Sequence, residues 1–222
     1  LPYPTTPLIF GPRTGRCMIL VSDDATRTMN TFLGAATELR LDDVDAELIS
    51  SAAITFLEGY LFDAPHCKQA FFAAGTIANE AERKVALSLS DLFCVERHRK
   101  DLKNLIEKHI DILFANETEI KSLAQTDDLD AALESVRGKC DLTVVTLGAH
   151  GSVILQGNET HRISAVSPIQ LVDTTGAGDA YAAGFLYGYT QGLSVPECGA
   201  LAAKTATSVL SYMGPRPMTK AA

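Results

Sequence analysis

Short apolar runs and amphipathic stretches alternate along this chain of 222 residues. A short apolar run between turn residues predicts a buried strand, and apolar residues every three or four positions predict a helix. We predict strands at 17–21, 28–33, 53–57, 85–89, 110–115 and 142–147, a hairpin at 152–155 and 161–163, and helices at 65–83, 100–109, 117–124, 129–138, 180–191 and 195–212. This alternation predicts an α/β fold with a doubly wound, mainly parallel sheet and helices on both faces.

Composition narrows the classes of partner. Hydrophobic residues make up 46% of the chain, which is enough for a sizeable core. The net charge is −8 and no run of Lys or Arg occurs, which argues against nucleic-acid and membrane partners. The densest basic cluster, at 97–100, is typical of a solvated helix start. No apolar run reaches membrane-spanning length.

The cysteines indicate a cellular compartment, and the histidines argue against a zinc site. The chain has five cysteines, an odd number, and no Cys-x-x-Cys, which favours reduced thiols and a cytoplasmic location. The five histidines lack the spacing of zinc ligands.

The run Asp173-Thr174-Thr175-Gly176-Ala177-Gly178-Asp179 carries the strongest chemical signal. A glycine turn followed by a helix start directs the backbone N–H groups of Gly176, Ala177 and Gly178 toward an anion. Asp179 then lies where it can take a proton from a group that attacks that anion. An anion cradle beside a general base is what phosphoryl transfer to an alcohol requires. The alternative is an ordinary β–α turn with an acidic residue in the first helical turn.

Other catalytic motifs are missing from the sequence. There is no Gly-x-x-x-x-Gly-Lys-Ser/Thr, so the chain is not a P-loop protein. The position expected for a third dinucleotide-binding glycine after Gly176 and Gly178 is Tyr181. No Gly-x-Ser-x-Gly elbow of a serine hydrolase occurs.

Two further motifs follow predicted strands. Asn116 and Glu119 have the spacing of a capping box, and the same side chains suit Mg²⁺, which prefers oxygen ligands and keeps several waters. Thr146, Gly148 and Gly151 lie at the carboxyl end of a strand, where ligands gather in open α/β sheets. The alternative for these three residues is a plain turn into the hairpin.

The signature run, followed by Ala-Tyr-Ala-Ala-Gly-Phe, resembles the C-terminal signature of the ribokinase-like sugar and nucleoside kinases of the phosphofructokinase-B type. The segments at 14–17, 27–31, 57–60, 90–95 and 114–117 resemble its adenosine-kinase-like branch. The resemblance implies an ATP-dependent kinase that uses Mg²⁺ and acts on a hydroxyl of a sugar or nucleoside of the adenosine, ribose or fructose type.

The resemblance also assigns roles to single residues. Asp179 is then the catalytic base, and Asn116 and Glu119 hold Mg²⁺ partly through water. Thr146, Gly148, Gly151 and Ala203 would contact the nucleotide, and Arg27 would reach the transferring phosphate from a lid.

Simpler alternatives stand beside three of these roles. Ala203 can serve helix–sheet packing, and Arg27 can be a solvated hairpin charge. Asp173 and Gly214 resemble a monovalent-cation site, for K⁺, that occurs in some relatives, and loop capping is the simpler alternative for both.

The resemblance sets the expected domain organisation. We expect one ribokinase-like domain over 1–222 that lacks the family's N-terminal part, including a Gly-Gly-x-x-x-Asn sugar-binding motif. Residues 14–34 would be a remnant of the small β lid, and relatives of this type can form homodimers through that lid. The alternative function is a nucleotide-binding fragment without turnover.

Overall fold

The computed structural model describes residues 6–25 and 27–216. The two ends of the expected domain, 1–5 and 217–222, lie outside the described residues, as does Thr26. Strands β1 (Thr14–Val21) and β2 (Arg27–Gly34) pair antiparallel and form a two-stranded ribbon. This ribbon is the segment assigned from sequence to a lid, and its role as a lid stays a prediction.

Six further strands form the main sheet. They are β3 (Ile54–Glu58), β4 (Lys84–Ser88), β5 (Ile112–Asn116), β6 (Leu142–Thr146), β7 (Ser152–Gln156) and β8 (Glu159–Ile163). The strands lie in the sheet in the same order as in the sequence. Strands β3 to β6 are parallel, and the hairpin β7–β8 continues the sheet antiparallel. The mainly parallel α/β sheet predicted from sequence is confirmed.

Seven α-helices accompany the sheet in the described part of the chain. They are α1 (Ala46–Ser51), α2 (Pro65–Glu80), α3 (Leu92–His109), α4 (Glu117–Ala124), α5 (Leu129–Val136), α6 (Ala177–Thr190) and α7 (Val195–Leu210). The prediction for α3 was wrong at its start, because the side chain of Asp91 caps the helix by accepting from the N–H of Cys94 at 2.8 Å. The basic cluster at 97–100 therefore lies inside α3, where His98 departs from helical φ and ψ, and does not begin it.

The strands divide their side chains between two cores. In β4, Val85 and Leu87 pack on one face with helices α2 to α5, whereas Ala86 faces the other side. The second face packs against α6 and α7, with Phe185 fully buried. This alternation follows from the two-residue period of a strand, and it confirms that helices cover both faces.

Two features bear on the composition-based expectations. All five cysteines lie in the described part of the chain and are free thiols. Among the described residues, no helix combines the length and the apolar character needed to cross a bilayer.

Candidate active site

The signature run forms the start of α6. Gly176 precedes the helix with φ 78°, a left-handed value that favours glycine. A Cβ at this position would lie 2.7 Å from the Cβ of Pro215, so the turn also needs the small residue for space. Helix α6 begins at Ala177, and Asp179 lies exposed in its first turn. The sequence therefore places a carboxylate directly at the positive end of a helix.

The first N–H groups of α6 are open. No side chain among the described residues caps this helix, in contrast to α3, α4 and α5. The N–H of Ala177 donates to the carbonyl of Thr174 at 3.3 Å, so one group of the predicted anion cradle is engaged within the turn. The N–H groups of Gly178 and Asp179 have no acceptor within the helix because they belong to its first turn. These two groups can receive an anion.

Asp173 locks the loop in front of the helix. Its Oδ1 accepts from the N–H and the hydroxyl of Thr175 at 2.8 and 2.7 Å, and its Oδ2 accepts from the N–H of Gly214 at 2.8 Å. The side chain is only 1% exposed. Burial alone raises the pKa of Asp173, but the hydrogen bonds from Thr175 and Gly214 and the positive charge of Arg27 outweigh it and hold the pKa below its usual value.

These contacts fit loop capping better than a monovalent cation. The groups turned toward Asp173 are N–H and O–H donors, whereas a cation needs oxygen ligands. A cation near Asp173 and Gly214 stays a prediction.

Arg27 joins the ribbon to the signature turn. Its Nη1 donates a hydrogen bond to the carbonyl oxygen of Thr174. In the ribbon Arg27 pairs with Val21, and Met29 pairs with Ile19. Since alternate residues of a strand point to the same face, these side chains lie on one face of the ribbon. The guanidinium is thus brought next to the anion turn, as a phosphate-binding role requires.

The motif of Asn116 and Glu119 forms a complete capping box at the start of α4. The N–H and Nδ2 of Asn116 donate to the carboxylate of Glu119 at 2.9 and 2.7 Å, and the N–H of Glu119 donates back to Asn116 Oδ1 at 2.9 Å. Glu119 is 5% exposed. Burial raises the pKa of Glu119 to about 7; the backbone hydrogen bond from Asn116 opposes this, and the negative charge of Asp91 adds to it.

The donor set near Glu119 fits a hydrated Mg²⁺. Carboxylate and amide oxygens are its preferred ligands, and the negative charges of Glu119 and Asp91 favour a nearby cation. Within the ranges that the structure describes, no group of three or more His, Cys, Asp or Glu side chains gathers to hold a metal. A magnesium ion at this edge would thus complete its shell with water and substrate oxygens, as it commonly does.

The residues predicted to contact a nucleotide border the same edge of the sheet. Thr146 ends β6 beside Asn116, its Cα partner at the end of β5. Gly148 has φ 58° and open space around its Cα, which leaves the backbone approachable. Gly151 has φ 86°, and a Cβ there would lie 2.0 Å from the carbonyl oxygen of Ile163. Gly151 is therefore required by the turn itself, whereas Gly148 is free to meet a ligand.

Ala203 is a buried residue of α7. Its side chain is 7% exposed and packs in the second core with α6 and the sheet. Gly199, one turn earlier in α7, would place a Cβ 2.6 Å from Ile163 Cγ1. Close packing explains this face of α7, and a nucleotide contact at Ala203 stays a prediction.

Glu58 and Tyr60 are site neighbours that the sequence reasoning did not assign. Glu58 ends β3 at the carboxyl edge of the parallel strands, and the hydroxyl of Tyr60 donates to its carboxylate. Burial is the largest cause that raises the pKa of both side chains, and the negative charge of Asp179 raises both further. A carboxylate directly after a buried strand is a signal that could have identified Glu58.

Comparison with known proteins assigns the family. The profile of the pfkB family carbohydrate kinases matches residues 10–222. The chain belongs to the pfkB family. Among solved structures, a probable sugar kinase from Rhizobium etli is 45% identical with a TM-score of 0.95, and the match covers 98% of this chain and 66% of that one.

Other similar proteins carry kinase names as well. The adenosine kinase from Sinorhizobium meliloti is 45% identical with a TM-score of 0.94, over 97% of this chain and 66% of that one. An uncharacterized sugar kinase of Archaeoglobus fulgidus is 28% identical over 205 residues, which are 92% of this chain and 79% of the relative. The chain thus spans just under two thirds of the length of these two solved structures. The resemblance identified from the signature run is confirmed.

Proposed function

We propose that the protein transfers the γ-phosphoryl group of ATP to a hydroxyl of a sugar or nucleoside. The observation that carries the proposal is the exposed carboxylate of Asp179 in the first turn of α6, beside open N–H groups at a glycine-started helix end. Membership of a kinase family supports the reaction class. The names of the relatives leave the acceptor open among adenosine, ribose and other sugars.

The role of each site residue follows from its charge or from the hydrogen-bond donors that it offers. Asp179 would accept the proton of the attacking hydroxyl, because a carboxylate within reach is a competent general base. The N–H groups of Gly178 and Asp179 would hold the transferred phosphoryl oxygens in place as negative charge develops on them. Arg27 would give up the carbonyl of Thr174 for a phosphate oxygen, since its fork of N–H donors fits phosphate geometry.

A magnesium ion would be held near Glu119 and Asn116, with Asp91 adding negative charge. When bound it neutralises phosphate charge and orients the phosphate chain. The protein's own part is to hold the Glu119 carboxylate fixed, which the hydrogen bonds from Asn116 achieve. Thr146 and Gly148 would border the nucleotide at the same edge of the sheet.

The ribbon of β1 and β2 is proposed as the lid over the acceptor. Its inner face carries Arg27, and its outer face exposes Met18, Leu20 and Phe32 by 68%, 73% and 54%. The outer apolar face is compatible with a homodimer formed through the lid, which stays a prediction.

The experiment is an ADP-release assay with ATP and Mg²⁺, using adenosine, ribose and fructose as acceptors. Asp179→Asn should lower kcat by roughly 10²–10⁴, the usual loss when acid–base catalysis is removed. ATP affinity, measured by calorimetry, should stay nearly unchanged. The matched control is Asp130→Asn, because Asp130 is also exposed in the first turn of a helix, α5.

Two results would contradict the proposal. A variant Asp179→Asn with wild-type kcat would remove Asp179 as the base. ATP binding without acceptor-dependent ADP release in the wild-type protein would favour nucleotide binding without turnover.

A further inference from the structure

The turn that carries Tyr60 is anchored firmly at its first residue. This turn, Gly59–Asp63, is a short 3-10 segment that follows β3. The N–H of Gly59 donates to the hydroxyl of Ser90 at 3.0 Å, and the thiol of Cys94 donates to the carbonyl of Gly59 at 2.9 Å. A Cβ at Gly59 would lie 2.7 Å from the carbonyl oxygen of Leu89, so the backbones are in direct contact.

The last residue of the same turn is anchored by charge. Both carboxylate oxygens of Asp63 accept from Arg97, at 3.0 and 2.8 Å, and Asp63 also accepts from His98 Nε2 at 2.8 Å. Phe62 is fully buried and packs edge-on against Phe71 with ring centroids 5.4 Å apart. A five-residue turn held in this way at both ends leaves the side chains between the two ends little freedom.

Tyr60 follows the first anchor directly, and its hydroxyl donates a hydrogen bond to the carboxylate of Glu58. Both side chains are half-buried. The pKa of Tyr60 is raised by burial, by its hydrogen bond to Glu58 and by the charges of Glu58 and Asp179. Burial also raises the pKa of Glu58, whereas the hydrogen bond from Tyr60 lowers it.

We propose that Tyr60 is a positioning residue for the acceptor, whose phenol fixes the carboxylate of Glu58 at the carboxyl edge of the parallel strands, the edge where Asn116 and Thr146 also lie. The kinetic consequence rests on the proposed function, whereas the pairing of the two side chains rests on their contacts alone. With the phenol removed, the carboxylate of Glu58 is free to turn, and the acceptor then meets a less ordered carboxylate at this edge.

The kinetic test compares Tyr60→Phe with the matched control Tyr187→Phe, because Tyr187 is 63% exposed on α6, two turns beyond Asp179. We expect Tyr60→Phe to lower kcat/KM for the acceptor about tenfold, as loss of a hydrogen bond to a charged group commonly does. The KM for ATP should not change. The acidic limb of the kcat/KM profile should move to higher pH, since Glu58 loses the bond that lowers its pKa. A merely structural role would lower thermal stability and leave that limb in place.

The second measurement needs no turnover. In Glu58→Gln the phenol of Tyr60 should ionise at lower pH, and the phenolate absorbance reports this ionisation. In the double variant that also carries Tyr60→Phe, the absorbance that belongs to Tyr60 should disappear. An unchanged phenol titration overturns the pairing, and acceptor kinetics of Tyr60→Phe equal to those of Tyr187→Phe overturn the positioning role. A shifted titration in a protein that phosphorylates no acceptor supports the pairing and contradicts the proposed function instead.

Discussion

Replacing Asp173 by Asn should loosen the loop that leads into the anion turn. The carboxylate accepts three hydrogen bonds, two from Thr175 and one from Gly214, and it is buried. An amide can keep only one acceptor oxygen, so its NH₂ group would face the N–H of either Thr175 or Gly214. One bond to a charged acceptor is then lost, and the remaining bonds become neutral and weaker.

The magnitude follows from these contacts. The lost bond costs about 2 kcal/mol and the weakened bonds about 1 kcal/mol, while a neutral amide is easier to bury than a carboxylate. We therefore expect Asp173→Asn to lower the free energy of unfolding by about 2–3 kcal/mol. Urea denaturation at neutral pH measures it, with Asp127→Asn at an exposed loop position as the control.

The pH dependence gives an independent check. Because the pKa of Asp173 is lowered in the folded protein, its charge stabilises the fold above the unfolded pKa of about 3.9, and this stabilisation is lost as pH falls through the folded pKa. The difference between wild type and variant should therefore shrink in acid. A variant within 0.5 kcal/mol of wild type at neutral pH, about the scatter of harmless surface changes, would refute the reasoning.

Three further outcomes test other parts of the molecule. Glu119→Gln should raise the Mg²⁺ concentration needed for half-maximal rate. Because the pKa of Glu119 is raised in the folded protein, the wild type should lose up to about 3 kcal/mol of stability as pH rises from about 4.5 to 7, and the variant should not show this loss. An unchanged metal dependence would mean that Glu119 serves only the capping box. Gly151→Ala should cost at least about 3 kcal/mol by urea denaturation, since its Cβ would meet the carbonyl of Ile163 and φ is 86°. Leu20→Ser with Phe32→Ser should dissociate a lid-mediated homodimer in sedimentation velocity, and a monomeric wild type would contradict that dimer.

The sequence predicted the parts of the fold that depend on local pattern. The apolar runs identified the strands of the main sheet, and the glycines with Asp179 identified the start of α6 to within a few residues. The start of α3 was missed because its first four residues, 92–95, form a continuous apolar run without helical spacing, and because the helix is interrupted at His98. Only the cap at Asp91 marks that boundary.

The site was predicted less completely, for a different reason. Glu58 ends β3, far before the strands of the other site residues in the chain, and only the folded sheet brings the end of β3 to the same edge as the ends of β5 and β6. The hydrogen bonding of Asp173 likewise depends on Gly214, whose N–H reaches the carboxylate from the loop after α7. Pairings of this kind have no local pattern, so they become visible only in the folded chain.

The division of the sheet into two cores has a consequence for how the protein is made. Strands β3, β4 and β5 can acquire their first cover, α2 to α5, as the chain leaves the ribosome, because these helices follow the three strands in sequence. The opposite face stays open to solvent until residues 177–210 emerge, since α6 and α7 supply its whole cover. Asp179 lies in that same segment, so a nascent chain that stalls before it exposes apolar surface and lacks the proposed base. The segment that protects this face from aggregation therefore also brings the carboxylate proposed for catalysis.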